Sequence, residues 1–333
     1  MKRESLRDRR NAMDWERRCM RFCAGMLTLA VLLRLWAGGV LIPVGQALGS
    51  EQAASFFLYL HTGRVVRTLP EIPEPEPMAE SDREAPRFSA GDLDLVALSD
   101  EPGLEPDLEA LMTAPLELHP PDGTPRVLIL HSHTTESFEQ TADRYTESSP
   151  YRTLDPGHNM LALGKLVAEI LTEAGIGVIH DTDFHDYPSY NGSYAHAAAS
   201  TKAYLEQYPT IELIIDLHRD AADTPTGQMS TSCTIGGEKA AQLMFVLGTD
   251  KRLNHPDWEQ NLSLALKLQV LLERENPGIC RKLSLSKNRY NQHLGTYALL
   301  VEIGAAGNTL EEAKIAAREL GESIVKLVLS SEG

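Results

Sequence analysis

Three short strings in this chain end on residues able to do acid–base or metal chemistry. Val127–Leu130 (VLIL) runs directly into His131-Ser132-His133-Thr134-Thr135-Glu136-Ser137. The string LIID with Leu217 runs into His218-Arg219-Asp220, and ALLV ends on Glu302, followed by Ile303-Gly304. His133 and Glu136 stand in an H-x-x-E spacing, which lets both side chains reach one ion from a single tight turn. With His218 from a neighbouring strand, the set is two imidazoles and a carboxylate, ligands that zinc takes in catalytic sites where a fourth position is left to water. Zinc lowers the pKa of such a water and polarises an amide carbonyl. Glu302 would take the proton from that water and return it to a leaving amine. Singly, each residue has a structural explanation: a histidine at a strand end commonly satisfies local hydrogen bonds, and H-x-x-E has many accidental matches. Glu302 is harder to explain that way, because an ionised carboxylate in an apolar strand is costly without a partner. The arrival of all four at one sheet edge is what points to a zinc hydrolase.

That edge has to be built by elements which the sequence also marks. Strand-like runs at Val127–His131, Gly177–His180, Leu213–His218, Gln242–Leu247 and Ala298–Ile303 alternate with helical spacing over Asn159–Ala174, Ser193–Gln207 and Asn261–Glu273. Gly175 supplies a stop, and a final helix opens on the T-x-x-E capping box of Thr309 and Glu312 and runs to about Leu329. The alternation predicts one α/β domain over residues 125–333, a mostly parallel sheet with helices on both faces. In such sheets ligands bind beyond the carboxyl ends of the strands, where the three strings end. Cys233 and Cys280 are the only cysteines of this region. They could pair outside the membrane, but two separate thiols are the simpler expectation, and no C-x-x-C pair suggests a cysteine zinc site.

The chain has 333 residues, with 31 Lys+Arg against 47 Asp+Glu and a formal charge of −16. This acidity excludes a protein built to hold nucleic acid non-specifically, which needs clustered basic side chains. Residues 1–22 carry a net positive charge and lead into a mostly apolar run from Phe22 to Gly45. We therefore expect a basic cytoplasmic segment (1–21) and a single transmembrane anchor (22–45), with the remainder exported. Arg34 divides the run, so the first twelve residues would also suit a cleaved signal peptide; the apolar second block and the lack of a small-x-small cleavage site favour the anchor. Residues 46–69 form an apolar and aromatic juxtamembrane segment. Residues 70–124 hold the run PEIPEPEP and thirteen acidic residues between Glu71 and Glu109. They read as an extended, disordered acidic linker, since proline fixes φ and like charges repel.

The strings VLILHSHTTESF, IGVIHDTDFHDYPSYNGSY, IIDLHRDA and LLVEIGAAGNTLEEAK, in this order, resemble the stage II sporulation protein P family. The likeness extends from about Arg126 to the C-terminus, and the anchor and Pro-rich spacer match that family's layout. The resemblance implies a membrane-anchored, zinc-dependent N-acetylmuramoyl-L-alanine amidase that cuts between the glycan lactyl group and the first alanine of the stem peptide. It also implies endopeptidase activity on cross-links, and peptidoglycan degradation during engulfment. The implied partners are peptidoglycan, the membrane and the stage II sporulation proteins D and M; the implied place is the mother cell side of the engulfing septum, with the N-terminus cytoplasmic. Carried onto this chain, it makes His133, Glu136 and His218 metal ligands and Glu302 the catalytic carboxylate, with His131 as a reserve ligand. Asp155-Pro156-Gly157-His158 spells a D-P-G-H found in the wider amidase group, here at a helix start with Asp155 and Pro156 as N-cap and first residue, so His158 is an alternative to Glu136. Arg219 and Asp220 either contact substrate or pair with each other. Two other readings of the same residues stay open: a non-catalytic peptidoglycan-binding scaffold, and a zinc carboxypeptidase acting on stem-peptide ends.

Overall fold

The computed structural model describes residues 86–330. The expected segments 1–21, 22–45 and 46–69 and the start of the linker lie outside the described residues, among which no helix is long and apolar enough to cross a membrane.

Seven strands build the main sheet: β1 (Leu98–Asp100), β2 (Pro125–Leu130), β3 (Gly177–His180), β4 (Leu213–Asp220), β5 (Leu243–Gly248), β6 (Leu283–Ser286) and β7 (Tyr297–Ala305). Their spatial order is β1-β6-β5-β7-β4-β2-β3. β7, β4, β2 and β3 run parallel to one another, β1, β6 and β5 likewise, and the two groups meet antiparallel at β5 and β7. The expected mostly parallel sheet is present, with one antiparallel seam. Strand direction leaves little mark on strands buried on both faces, which read as continuous apolar runs either way.

The described residues form five α-helices, α1 (Leu108–Thr113), α2 (Met160–Glu173), α3 (Ser193–Gln207), α4 (Trp258–Glu275) and α5 (Leu310–Leu329), of which α2 to α5 flank the sheet. Val127, Ile129, Ile215, Leu217, Val301 and Ile303 pack in one large cluster with buried residues of α2, α4 and α5. Leu128, Leu130, Ile214 and Ala298 pack on the opposite face against Ala197 and Tyr204 of α3. Helices therefore lie on both faces as expected, but unequally. Because strand side chains alternate between faces, Asp216 and His218 follow Ile214 onto the α3 side, and Glu302 follows Ala298 there.

Two helix boundaries test the capping signals. The box of Thr309 and Glu312 forms at the start of α5 as expected. α2 starts later than the Asp155-Pro156 reading: Asn159 is its N-cap, its side chain accepting from Leu161 N. Asp155 instead accepts from Gly157 N within the preceding turn. Cys233 and Cys280 are both free thiols.

The linker reading of 70–124 needs correction over its second half. A 3-10 turn (Ala90–Leu95), β1 and α1 all lie within it, and β1 pairs with β6 at the sheet edge. Met112 and Leu118 are buried in the main core. The physical reason lies in α4, which is buried without a break from Asn261 to Leu272. A helix buried all round needs cover on its outer side, and α1 provides it: Leu111 O accepts from Lys267 Nζ at 2.8 Å and from Ser263 Oγ at 2.7 Å. The leucines that do this covering are spaced irregularly among acids and prolines, so they carry no periodic signal.

Candidate functional site

β2, β4 and β7 deliver their carboxyl ends to one rim, and Glu302 lies directly opposite His218 in the parallel register. The structure brings His133, Glu136, His218 and Glu302 into one neighbourhood. The rings of His133 and His218 meet edge to face with centroids 5.2 Å apart. Glu136 Oε2 lies 3.6 Å from His218 Nδ1. On its other side Glu136 meets two guanidiniums, at 3.3 Å from Arg152 Nη2 and 3.7 Å from Arg219 Nη1.

Electrostatics sorts the two carboxylates into different states. Burial acts to raise the Glu136 pKa, but His218, Arg219 and His133 outweigh it and hold the group down at about 2. Glu302 is pushed up to about 8, first by burial and then by repulsion from Glu136 and Asp220, with His218 opposing. The Glu302 Oε2 atom is shielded from solvent and has no hydrogen-bond partner. Burial disfavours a charged His218, yet Asp216 and Glu136 raise its pKa well above the ordinary value. Burial lowers that of His133.

The remaining candidates are placed elsewhere or differently. His131 points to the α2 side, with Nδ1 3.2 Å from Leu217 O and Nε2 2.9 Å from His180 Nε2. It is a packed structural residue beneath Gly164, where a Cβ would come within 2.4 Å of both imidazoles. The structure does not bring it to His133 and His218. Nor does it bring His158, whose two ring nitrogens bond Asp155 and Asp143 at 2.9 and 3.1 Å. Arg219 serves the fold, Nε donating to Ser137 O and Nη2 to Tyr151 O. Asp220 pairs with Arg281 at 2.7 Å rather than with Arg219.

Four further side chains shape the site. Asp216 accepts from Ser132 N and Oγ at 2.8 and 2.5 Å and lies 2.9 Å from His218 Nε2, a close ionic contact without hydrogen-bond alignment. Its place two residues before His218 on a strand was readable, since period-2 alternation puts both on one face. Tyr190 stacks on His133 with centroids 4.6 Å apart, its hydroxyl 3.2 Å from Nε2. Tyr194 meets His133 edge-on and lies nearly parallel to His218. Arg152 joins the Tyr190 loop to the Glu136 turn: Nη1 donates to Asp186 Oδ2 at 2.6 Å, and its Cζ stands 4.8 Å over the Tyr190 ring. Arg152 and the two tyrosines lie away from the ends of the main strands, before α2 and around the start of α3, and no spacing signal marks them.

The donor chemistry suits zinc, which takes imidazole and carboxylate ligands. His133 Nδ1 is buried without a hydrogen-bond partner, and His218 Nδ1, on the ring edge away from Asp216, faces Glu136 Oε2 at 3.6 Å. Among the described residues no three His, Cys, Asp or Glu side chains are gathered closely enough to hold an ion as they stand.

Fold and rim together define an α/β protein with a buried imidazole–carboxylate site at parallel strand ends. The family described as stage II sporulation protein P (SpoIIP) matches residues 81–325. The chain belongs to that family. Stage II sporulation protein P of Bacillus subtilis (strain 168) is 29% identical over 217 residues, covering 62% of this chain and 52% of that one. The chain thus spans about half the length of the curated relative it matches. Looser likenesses join it to two solved structures. N-acetylmuramoyl-L-alanine amidase AmiC2 of Nostoc punctiforme is 13% identical with a TM-score of 0.36, over 61% of this chain and 95% of that one. An N-acetylmuramoyl-L-alanine amidase from Clostridium difficile 630 is 19% identical with a TM-score of 0.37, over 64% and 100%.

Proposed function

We propose that this chain is a peptidoglycan hydrolase, an N-acetylmuramoyl-L-alanine amidase that also acts on cross-linked stem peptides, anchored in the cell membrane and working in engulfment during sporulation. Membership of the stage II sporulation protein P family supports the setting. The observation that carries the chemistry is Glu302: a shielded, unpartnered carboxyl at a strand end, opposite His218, with a pKa near neutral. A general base works best when its pKa lies near the operating pH.

In this reading His133, Glu136 and His218 hold a zinc ion. Zinc, when bound, supplies an activated water and a Lewis acid for the amide carbonyl. Glu302 Oε2 accepts the proton that the attacking water loses and hands it to the departing amine nitrogen. Asp216, fixed by Ser132, holds the His218 ring in place, as a second carboxylate behind a ligating histidine does in metal sites. Arg152 and Arg219 keep Glu136 ionised and aimed into the site. Stage II sporulation proteins D and M are proposed as partners on the mother cell side of the septum.

The test is release of products from purified peptidoglycan by the full-length protein, read by mass spectrometry. Release of whole stem peptides, lost in Glu302→Gln and in chelator-treated protein, is the expected result. Cleavage by Glu302→Gln at the parental rate would overturn the mechanism.

A further inference from the structure

A cleft of about 680 Å³ opens beside the site, with Tyr194 as one wall. The opposite wall comes from two loops, 249–255 after β5 and 287–292 after β6, which carry Arg252, Leu253, Arg289 and Tyr290. Tyr194 lies between this cleft and the catalytic rim: its ring is 5.9 Å from that of Tyr290 on one side and 6.2 Å from that of His218 on the other.

Its charge sets this cleft apart. The chain carries −16 overall, yet no acidic residue lines the cleft, while two arginines do. Arg126, Arg152, Arg219, Arg274 and Arg281 each meet a carboxylate. Arg252 and Arg289 are paired with none among the described residues. Each is aligned by a neutral acceptor instead: Arg252 Nη1 donates to Asn288 Oδ1 at 2.7 Å, and Arg289 Nη1 to Asn254 O at 2.8 Å. A guanidinium carries five donors in a rigid fork that matches a carboxylate. Asp250 and Asp257 lie in or next to the first loop but do not line the cleft.

We propose that this cleft is the recognition subsite for an acidic peptide, with Arg252 and Arg289 taking carboxylates of the chain whose amide lies at the rim and Tyr194 and Tyr290 packing against its apolar atoms. This rests on the hydrolase reading and deepens it: the arginine pair selects a peptide bearing free carboxyl groups over a neutral one.

The experiment measures binding of two synthetic tripeptides of sequence Ala-Glu-Lys to the full-length protein in detergent, one with free and one with amidated carboxyls. Removing one charge-assisted hydrogen-bonding partner is expected to weaken Kd about tenfold. The parent should prefer the free form, Arg252→Gln should reduce that preference about tenfold, and Arg252→Gln/Arg289→Gln should abolish it. Arg252 is exposed, so the single variant keeps the test valid where the double variant misfolds. Equal binding of both peptides by the parent, no binding of either, or an undiminished preference in the variants overturns the proposal. Hydrolysis of peptidoglycan is measured alongside. Cleavage without a charge preference removes the subsite and leaves the hydrolase; a charge preference that depends on the arginines, without cleavage, supports the subsite and removes the hydrolase.

Discussion

Glu302 and His218 stand side by side on adjacent parallel strands, and the charge of His218 bears on the protonation of Glu302. His218 pulls the Glu302 pKa down while burial and Glu136 push it up, so the group rests at about 8. Glu302 does not reach this condition by burial alone: an isolated buried carboxyl would stay neutral through the working pH range, and a solvated one would be ionised throughout.

The first prediction concerns rate. Glu302→Gln keeps the size and removes the proposed proton acceptor, so on that mechanism hydrolysis of purified peptidoglycan is expected to fall by about 10²–10⁴-fold, as for loss of a general base. The circular dichroism spectrum should be unchanged. A fall of less than a few fold would move the base to another residue.

The second concerns pH and the metal-free protein. The folded pKa of Glu302 is raised, so between about 4.5 and about 8 the unfolded chain releases a proton that the folded one keeps. Stability from this group is therefore full below pH 4.5 and is lost as pH rises toward 8. Glu136 has the opposite sign: its pKa is lowered to about 2, so its contribution is present above about 4.5 and is lost as pH falls toward 2. Chelator-treated protein should be less stable at pH 8 than at pH 5, by a few kcal/mol. Glu302→Gln should flatten that slope. Denaturation curves across pH 4 to 9 would check it, and an equal slope in parent and variant would contradict it.

The third concerns two helix glycines. At Gly164 a Cβ would meet His131 and His180 at 2.4 Å, whereas at Gly321 it would meet the Ile170 side chain at 3.1 Å. Gly164→Ala should destabilise by about 1–3 kcal/mol through overpacking, despite the better helix propensity of alanine. Gly321→Ala should be near neutral, since the end of an isoleucine side chain can shift. Urea midpoints of the two variants would separate them.

The fourth concerns Arg152. Its guanidinium binds Asp186, whose side chain is wholly buried, and Glu136. Arg152→Ala leaves both carboxylates short of a counter-charge and should cost about 3–5 kcal/mol. Tyr190 should be released from His133 as well, which a change in tyrosine fluorescence would report.

The fifth follows from the corrected domain boundary. A chain starting at residue 125 lacks β1 and α1 and exposes the outer side of α4, so it should aggregate or fail to express in soluble form. A chain starting at residue 81, where the family match begins, should fold. Comparable solubility of the two would show that the cover is dispensable.

Most of the sheet is legible in the sequence because buried strands are continuous apolar runs, and the rim is legible because polar residues at the ends of such runs are conspicuous. His133, Glu136, His218 and Glu302 stand out for that reason. His131 resembles a reserve ligand only until its face is known: alternation decides which side a strand-end side chain takes, and His131 follows Ile129 onto the helix-covered side. His158 is misleading because the motif's own Asp155 takes one ring nitrogen and Asp143, which the motif does not contain, takes the other. Tyr190 and Tyr194 fall within a string that carries the family resemblance, but their place against His133 and His218, like that of Arg152, depends on loop paths that only the folded chain defines. The span from Ala90 to Leu118 reads as linker because its apolar residues follow the contour of α4 instead of a helical or strand period.

The antiparallel seam between β5 and β7 has a bearing on how such a protein can diversify. Loops after β2, β4 and β7 leave one end of the sheet, and loops after β5 and β6 leave the other. Insertions or substitutions in 249–255 and 287–292 would therefore alter the proposed peptide subsite while His133, His218 and Glu302 keep their positions at the rim. On the proposed reading the two halves of the sheet would be separately adjustable modules, one for selecting and one for cutting, joined along the β5–β7 line of hydrogen bonds.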